Sequence, residues 1–516
     1  MERSSGILMH LTSLPSDYGI GSIGNEAIKF MDKLVQAKQT YWQILPLTQP
    51  DAMYSPYASS STYAGNIMLI DIEKMVEYGY LLSEDVAQAW NVEMQLNEKC
   101  NEINEKCDNT INYVNYAKAE RIKMPLFHKA YENFFQYGNV LEYDKFYKKN
   151  KRWLSDYALY SSIKSEYNLG WYDWNEKLKN RDKEAIKEYK NEHKQNIEFY
   201  AFLQFVFYRQ WSDLKKEIKK RKLKLMGDIP MYVSYDSADV WSQPKQFLLN
   251  KDLTQDKVAG VPPDYFSIDG QLWGNPIFNW EQMRKDGYKW WIDRIKHCSK
   301  LYDCIRIDHF RAFDAYWQVN ADKKNARIGK WVKGEGIDFI NILKASVPKL
   351  SIVAEDLGVS TKSLVKLLKE SGFPGMKVIE FAFDDKNSNN PFLPHNFENN
   401  CVAYLGTHDN DTIIGWWRNL KNDIKEYVYN YTGFESDNEI NRKMMKFLSR
   451  SKADVVIFAI QDVIGCDSDR RMNTPGVVGG KNWLFKLGIN EFNENDIEFL
   501  AKITSLYSRK NEEIYN

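Results

Sequence analysis

Ile305-Arg306-Ile307-Asp308-His309-Phe310-Arg311 is a short run of strand-forming residues that stops at a carboxylate inside a polar cluster. Two more runs end the same way: Ile352-Val353-Ala354-Glu355-Asp356-Leu357-Gly358 and Tyr404-Leu405-Gly406-Thr407-His408-Asp409-Asn410-Asp411. A run of β-formers closing on an acid reads as a strand that delivers its last side chain to the C-terminal rim of a sheet or barrel. A single such acid is most simply a helix N-cap or an arginine partner. Three, with Arg and His beside them, point to acid–base and nucleophilic chemistry on a polar, uncharged substrate.

Outward from these runs, strand-like stretches followed by a loop and helical periodicity recur along the chain. They are Gly6 to Leu11, Tyr41 to Leu47, Leu223 to Val233, Cys304 to Asp308, Ser351 to Glu355, Met376 to Phe383, Cys401 to Thr407, and Asp454 to Asp462. Eight βα repeats rich in Ile, Val and Leu predict an α/β fold, a closed parallel (β/α)8 TIM barrel rather than an open doubly wound sheet. Residues 1–516 read as one catalytic barrel with two intervals that exceed a bare barrel. Residues 82–222 are mostly charged and helical in period, as in Lys177 to Ile197 followed by the apolar Phe199 to Trp211, and predict an inserted, mainly helical subdomain. Residues 234–290 are loop-rich, with Val261-Pro262-Pro263-Asp264-Tyr265-Phe266 and Gln271-Leu272-Trp273-Gly274-Asn275-Pro276. Loops this long in a compact domain usually bind substrate or cover it.

Composition narrows the partners. Lys plus Arg and Asp plus Glu are 70 each, so no global field favours nucleic acid or an anionic membrane. The basic run Lys215 to Lys222 has apolar residues at helical spacing and reads as a solvated helix face. The 16 Trp, 32 Tyr and 26 Phe supply both core and the flat faces that pyranose rings stack on. Six scattered cysteines, none in a C-x-x-C pair, fit a reduced cytoplasmic protein better than a disulfide scaffold. The N-terminal apolar stretch is broken by His10 too soon for a signal sequence, and no run approaches the ~18 residues of a membrane span.

Two motifs mislead. Gly19-Ile20-Gly21-Ser22-Ile23-Gly24 spells G-x-G-x-x-G ahead of an amphipathic helix, Glu26 to Val35. In a dinucleotide fold its first glycine follows the strand at once and an acid ends the next strand. Here Thr12 to Tyr18 intervenes and the next strand ends Ile44-Leu45-Pro46-Leu47, so the glycines read as a βα loop. Gly479-Gly480-Lys481 lacks P-loop spacing. No metal is called for: the seven histidines have no ligand spacing, and nothing around Asp409 and Asp411 supplies a calcium loop.

The three rim acids match the needs of glycoside chemistry. A retaining enzyme uses one carboxylate as nucleophile and another as acid then base, with the groups ~5–5.5 Å apart. The acid must stay protonated near neutral pH, which burial and a neighbouring negative charge arrange. A third carboxylate stabilises the oxocarbenium-like transition state.

Taken with Ser55-Pro56-Tyr57, Gly227-Asp228-Ile229-Pro230, Trp273-Gly274-Asn275-Pro276 and Asn473-Thr474-Pro475-Gly476, the chain resembles the 4-alpha-glucanotransferases (amylomaltases, or disproportionating enzymes) of the alpha-amylase clan. The similarity runs from Gly6-Ile7-Leu8 to Gly476 and implies a compact form of that family. It implies Asp308 as nucleophile, Glu355 as acid/base and Asp409 as transition-state stabiliser. By the same resemblance Arg306 orients Asp308, His408 contacts sugar hydroxyls, Tyr57 stacks on the donor sugar, and Asp228 and Asn473 add polar lining. Asp264, Tyr265 and Phe266 would form a loop over the acceptor side, with Trp273 and Asn275 below. The implied partners are maltooligosaccharides and alpha-1,4-glucans, with no cofactor, acting on a monomer or weak homo-oligomer. Two stretches depart from the pattern, Met53-Tyr54 before Ser55-Pro56-Tyr57-Ala58 and Asn482-Trp483-Leu484-Phe485-Lys486, and both concern outer subsites. An amylase-type hydrolase with the same acids, or a glucan-binding protein with inactive acids, are the alternatives.

Overall fold

The computed structural model describes residues 1–102, 113–263 and 267–510. Eight parallel strands form its centre: β1 (Ser4–Leu8), β2 (Tyr41–Gln43), β3 (Lys224–Ile229), β4 (Cys304–Ile307), β5 (Ser351–Ala354), β6 (Gly375–Val378), β7 (Cys401–Tyr404) and β8 (Val455–Ala459). Consecutive strands pair from β1 to β5 and from β6 to β8, and β8 pairs with β1. Between β5 and β6 the Ala354 N–H donates to the Pro374 carbonyl at 2.9 Å. The Met376 N–H meets the Asp356 carboxylate at 2.7 Å. These bonds bring the two ends of the sheet together, and the sheet is a (β/α)8 barrel of the expected type.

Each of the eight expected runs overlaps a barrel strand, although β1 and β6 begin before theirs, and most strands are shorter than their runs. The β2 run continues to Leu47, but regular pairing stops at Gln43, shortly before Pro46, which has no N–H to give to a ladder. The β6 run turns after Val378 into the 3-10 turn Ile379–Phe383. Close packing fixes the glycines. A Cβ on Gly227 in β3 would come within 2.4 Å of the Tyr302 ring. One on Gly21 would come within 2.0 Å of the Leu11 carbonyl, so the dinucleotide look-alike is a loop folded tightly on itself ahead of the helix Asn25–Gln36.

Between β2 and β3 lie the helices Ser83–Glu102, Tyr116–Tyr137, Val140–Tyr167, Lys183–Glu192 and Lys194–Lys220. The last buries Phe199, Phe202, Phe205, Val206, Phe207, Trp211 and Leu214 in a core continuous with that of the barrel. Two buried amides on it act as surrogate strands. Gln204 accepts from the Gly65 N–H at 2.8 Å and donates to its carbonyl at 2.9 Å. Gln210 does the same for Asp71, at 2.8 Å both ways. The Lys123 ammonium, buried in the helix Tyr116–Tyr137, donates to the carbonyls of Met68 and Ile70 at 2.7 and 2.9 Å. The irregular segment after β2 thus has its buried backbone groups satisfied by side chains.

A second sheet stands beside the rim. Its four antiparallel strands are ordered Gln271–Pro276, Lys257–Val261, Ala315–Asn320, Lys330–Lys333. Two of them come from the interval read from sequence as loop and two from the connection after β4. Among the described residues no helix is long and apolar enough to cross a membrane.

Candidate active site

Strand register assembles one side of the rim. Asp228 on β3 and Arg306 on β4 are direct partners in the ladder. The Arg306 guanidinium donates to Asp228 Oδ2 at 2.6 Å and to Asp308 Oδ1 at 2.9 Å. Arg306 is 4% exposed, the Asp228 side chain 0% and the Asp308 side chain 28%, so of the three only Asp308 opens to the groove. Tyr57, on the loop after β2, gives its hydroxyl to Asp228 Oδ2 at 2.7 Å.

Glu355 follows β5 and, among the described residues, is held by backbone alone. Its Oε2 accepts from the His309 N–H at 2.7 Å and its Oε1 from the Leu357 N–H at 2.8 Å. His309, which makes the first of these bonds, adopts a left-handed conformation, φ 47°. A non-glycine residue there costs about 1–3 kcal/mol and is typical of functional sites. The His309 ring meets Trp273 edge-on at 4.8 Å, and burial, with Arg311 second, lowers its pKa to about 3, so it is neutral.

Asp409 lies beyond β7 on a polar loop, half exposed. Its Oδ1 accepts from Asn473 at 2.7 Å, and Oδ2 is 3.4 Å from His408 Nε2. The His408 ring stacks on Tyr57 at 5.0 Å and 15°. Burial keeps His408 below its usual pKa, against the pull of Asp409.

Burial raises the carboxyls of both Asp308 and Glu355, and Arg306 opposes the rise in each. The Asp308 carboxyl is pushed up further by the charges of Asp228, Glu355 and Asp409, and that of Glu355 by Asp356. Two buried acids in this state share a proton in preference to ionising together. Arg306 hydrogen-bonds Asp308, whereas the hydrogen bonds to Glu355 among the described residues come from backbone N–H groups.

The expected residues therefore gather, with some differences of duty. Tyr57, Asp228, Arg306, Asp308, Glu355, His408, Asp409 and Asn473 form one cluster. Trp273 is 37% exposed beside it, against His309. The Asn275 amide is spent on the Val233 carbonyl at 2.8 Å, fastening the side sheet to the segment after β3. Asp264, Tyr265 and Phe266 lie outside the described residues. Two residues were not anticipated. Trp483, with φ 67°, meets Tyr57 at 5.6 Å and His408 at 5.9 Å. Arg471 donates to the carbonyls of Asp409 and Asn473, both at 2.8 Å. Their signals were faint: Trp483 lies in a stretch set aside as a departure, and Arg471 is two residues from Asn473.

A family model described as 4-alpha-glucanotransferase matches residues 9–490. The 4-alpha-glucanotransferases of Clostridium butyricum and Aquifex aeolicus (strain VF5) are 40% and 41% identical to the chain, over 97% and 98% of it and 100% of each relative. Among solved structures, the amylomaltase from Streptococcus agalactiae in complex with acarbose has a TM-score of 0.92 at 36% identity, covering 99% of this chain and 100% of that one. With a family model over residues 9–490 and relatives of this identity along nearly the whole chain, the chain belongs to the 4-alpha-glucanotransferase family.

Proposed function

We propose that Asp308, Glu355 and Asp409 divide a two-step, retaining transfer of alpha-1,4-glucan segments between maltooligosaccharides. Glu355 gives its proton to the glycosidic oxygen as Asp308 bonds to the anomeric carbon and the bond to the leaving chain breaks. In the second step the 4-hydroxyl of another glucan loses its proton to Glu355 and bonds to that carbon, while the bond to Asp308 breaks. Asp409, anchored by Asn473, takes hydroxyls of the distorted donor sugar, and the Tyr57, His408 and Trp483 rings form its apolar bed. Arg306, itself fixed by Asp228, orients Asp308 and favours its ionised form. Trp273 lies on the acceptor side, with Asn275 supporting it.

The observation that carries this reading is the division of partners between the two acids among the described residues: a guanidinium on Asp308, backbone N–H groups on Glu355. Residues 82–222 serve as a helical subdomain that buttresses the segment carrying Tyr57, and residues 234–290 as the acceptor-side insertion. The enzyme acts as a monomer or weak homo-oligomer in the cytoplasm. The free, buried Cys298, Cys304, Cys401 and Cys466 support a reducing compartment.

Incubation with maltotriose, with products resolved by size over time, tests the function. Transfer gives a ladder of longer oligosaccharides plus glucose with little gain in reducing ends. A steady rise in reducing ends with no chain longer than the input would make it a hydrolase. No reaction on any glucan would leave only binding.

A further inference from the structure

Glu380 lies in the 3-10 turn after β6 and is 6% exposed. Its Oε2 accepts from the Asn410 side-chain amide at 3.1 Å, while its Oε1 is buried with no hydrogen-bond partner. Asn410 faces the other way with its carbonyl, which accepts from the Thr407 N–H at 3.0 Å and the Thr407 hydroxyl at 2.9 Å. The Thr407 hydroxyl in turn accepts from the Asp409 N–H at 3.3 Å. The relay has one direction throughout. An amide has one acceptor and one donor end, so a fixed acceptor at Glu380 fixes which end of Asn410 meets Thr407.

We propose that Glu380 is a positioning residue for Asp409, setting the backbone of Asp409 through Asn410 and Thr407 from inside the barrel wall. The inference rests on the reading of Asp409 given above.

Glu380 does this as a neutral acid. The charged groups acting on it are Asp462, after β8, Asp411 on its own rim loop, and Arg471. Arg471 is committed to the carbonyls of Asp409 and Asn473. Asp462 takes the Ile413 N–H at 2.8 Å, and Asp411 takes the Thr412 N–H and the Ser468 hydroxyl, each at 2.8 Å. No cation is bonded to Glu380 among the described residues, and space for one is absent on the Gly406 side. There a single added Cβ would come within 2.6 Å of Glu380 Oε1. Burial, and next the charge of Asp462, hold the carboxyl well above the usual carboxylate range. A protonated acid keeps one good acceptor, and Asn410 occupies it.

Three variants, assayed for maltotriose disproportionation, test this. Glu380→Gln keeps an acceptor and carries no charge, so its kcat stays within ~3-fold of the parent. Glu380→Met keeps the volume but removes the acceptor. Its kcat falls ~10–100-fold with KM within ~3-fold, as for a catalytic group displaced by a fraction of an ångström. Thr407→Val cuts the same relay one bond further on, and serves if the Met variant does not fold.

The Gln variant also has a pH signature. Because the folded carboxyl is raised above its unfolded value of ~4.3, the stability it contributes is full below that pH and lost as pH climbs toward the folded value. Glu380→Gln therefore melts above the parent at pH 8, and the gap closes near pH 4.

Parental kcat in both Glu380→Met and Thr407→Val, or a Gln variant as impaired as Met, would overturn the proposal. A purely structural role would lower melting temperature while leaving the kcat of the folded enzyme unmoved. Asp409→Ala separates the two layers. If it retains parental transfer, the reading of Asp409 fails. If it abolishes transfer while Glu380→Met does not change kcat, only the role of Glu380 fails.

Discussion

The two sides of the rim are positioned by different physics. On the β3–β5 side the strands themselves aim the charges: Asp228 and Arg306 are ladder partners, and Asp308 stands two residues further along the same strand direction. On the β7–β8 side Asp409 stands five residues past the end of its strand, and its carboxylate is met by the neutral Asn473 amide while Thr407 and Arg471 hold only its backbone. The first arrangement is rigid and electrostatically strong. The second is built from weaker bonds, each of about 0.5–1.5 kcal/mol net, and tolerates small adjustment. On the proposed division of roles, the acid that would form and break a covalent bond sits where register fixes it, and the acid that would follow a distorting sugar ring sits on the loop side.

The sharpest way to break the comparison is Asp308→Asn. Loss of the proposed nucleophile is expected to lower kcat by ~10⁴-fold or more, measured as transfer on maltotriose. Arg306→Met strands two acids beside each other. It is expected to cost ~10²–10³-fold in kcat and about 3–5 kcal/mol in denaturant unfolding, because the Asp228 side chain is wholly buried. On the other side Asn473→Ala removes a single neutral donor. A loss of only ~10-fold in kcat, with unfolding unchanged within about 1 kcal/mol, is the expected contrast. A loss as large as that of Arg306→Met would erase the distinction drawn between the two sides. Gln204→Leu calibrates the scaffold. It is expected to destabilise by about 2–3 kcal/mol through the unsatisfied Gly65 groups and to leave kcat within ~2-fold.

This contrast also explains what could be read from the sequence. The strand-borne side was legible because a short apolar run ending in Asp308 or Glu355 places its acid by period alone. The side sheet was not. Lys330-Trp331-Val332-Lys333 and Gln271–Pro276 are short and broken by Lys, Gly and Pro, and the two hairpins they complete join only through Lys257–Val261 and Ala315–Asn320, which lie far apart in the chain. Strand lengths were overread for a related reason: Ile44 to Leu47 and Ile379 to Phe383 are as apolar as strands because they are buried, not because they are paired. Trp483 and Arg471 reach the site from a loop beyond β8, and no local pattern announces such a contact. Glu380 looked like one more residue in an apolar run, since only the surrounding acids give it meaning.

The pair of glutamines on the helix Lys194–Lys220 carries a consequence for how this chain can change. Gln204 and Gln210 are six positions apart, and so are Gly65 and Asp71, the residues they clasp. Six helical residues advance ~9 Å, whereas six extended residues would cover ~20 Å. The 3-10 turn Ile67–Leu69 takes up the difference, so two segments of unlike pitch share one ruler. An insertion or deletion between either pair of marks must be answered by another in its counterpart, which makes this seam a place where length, more than composition, is inherited.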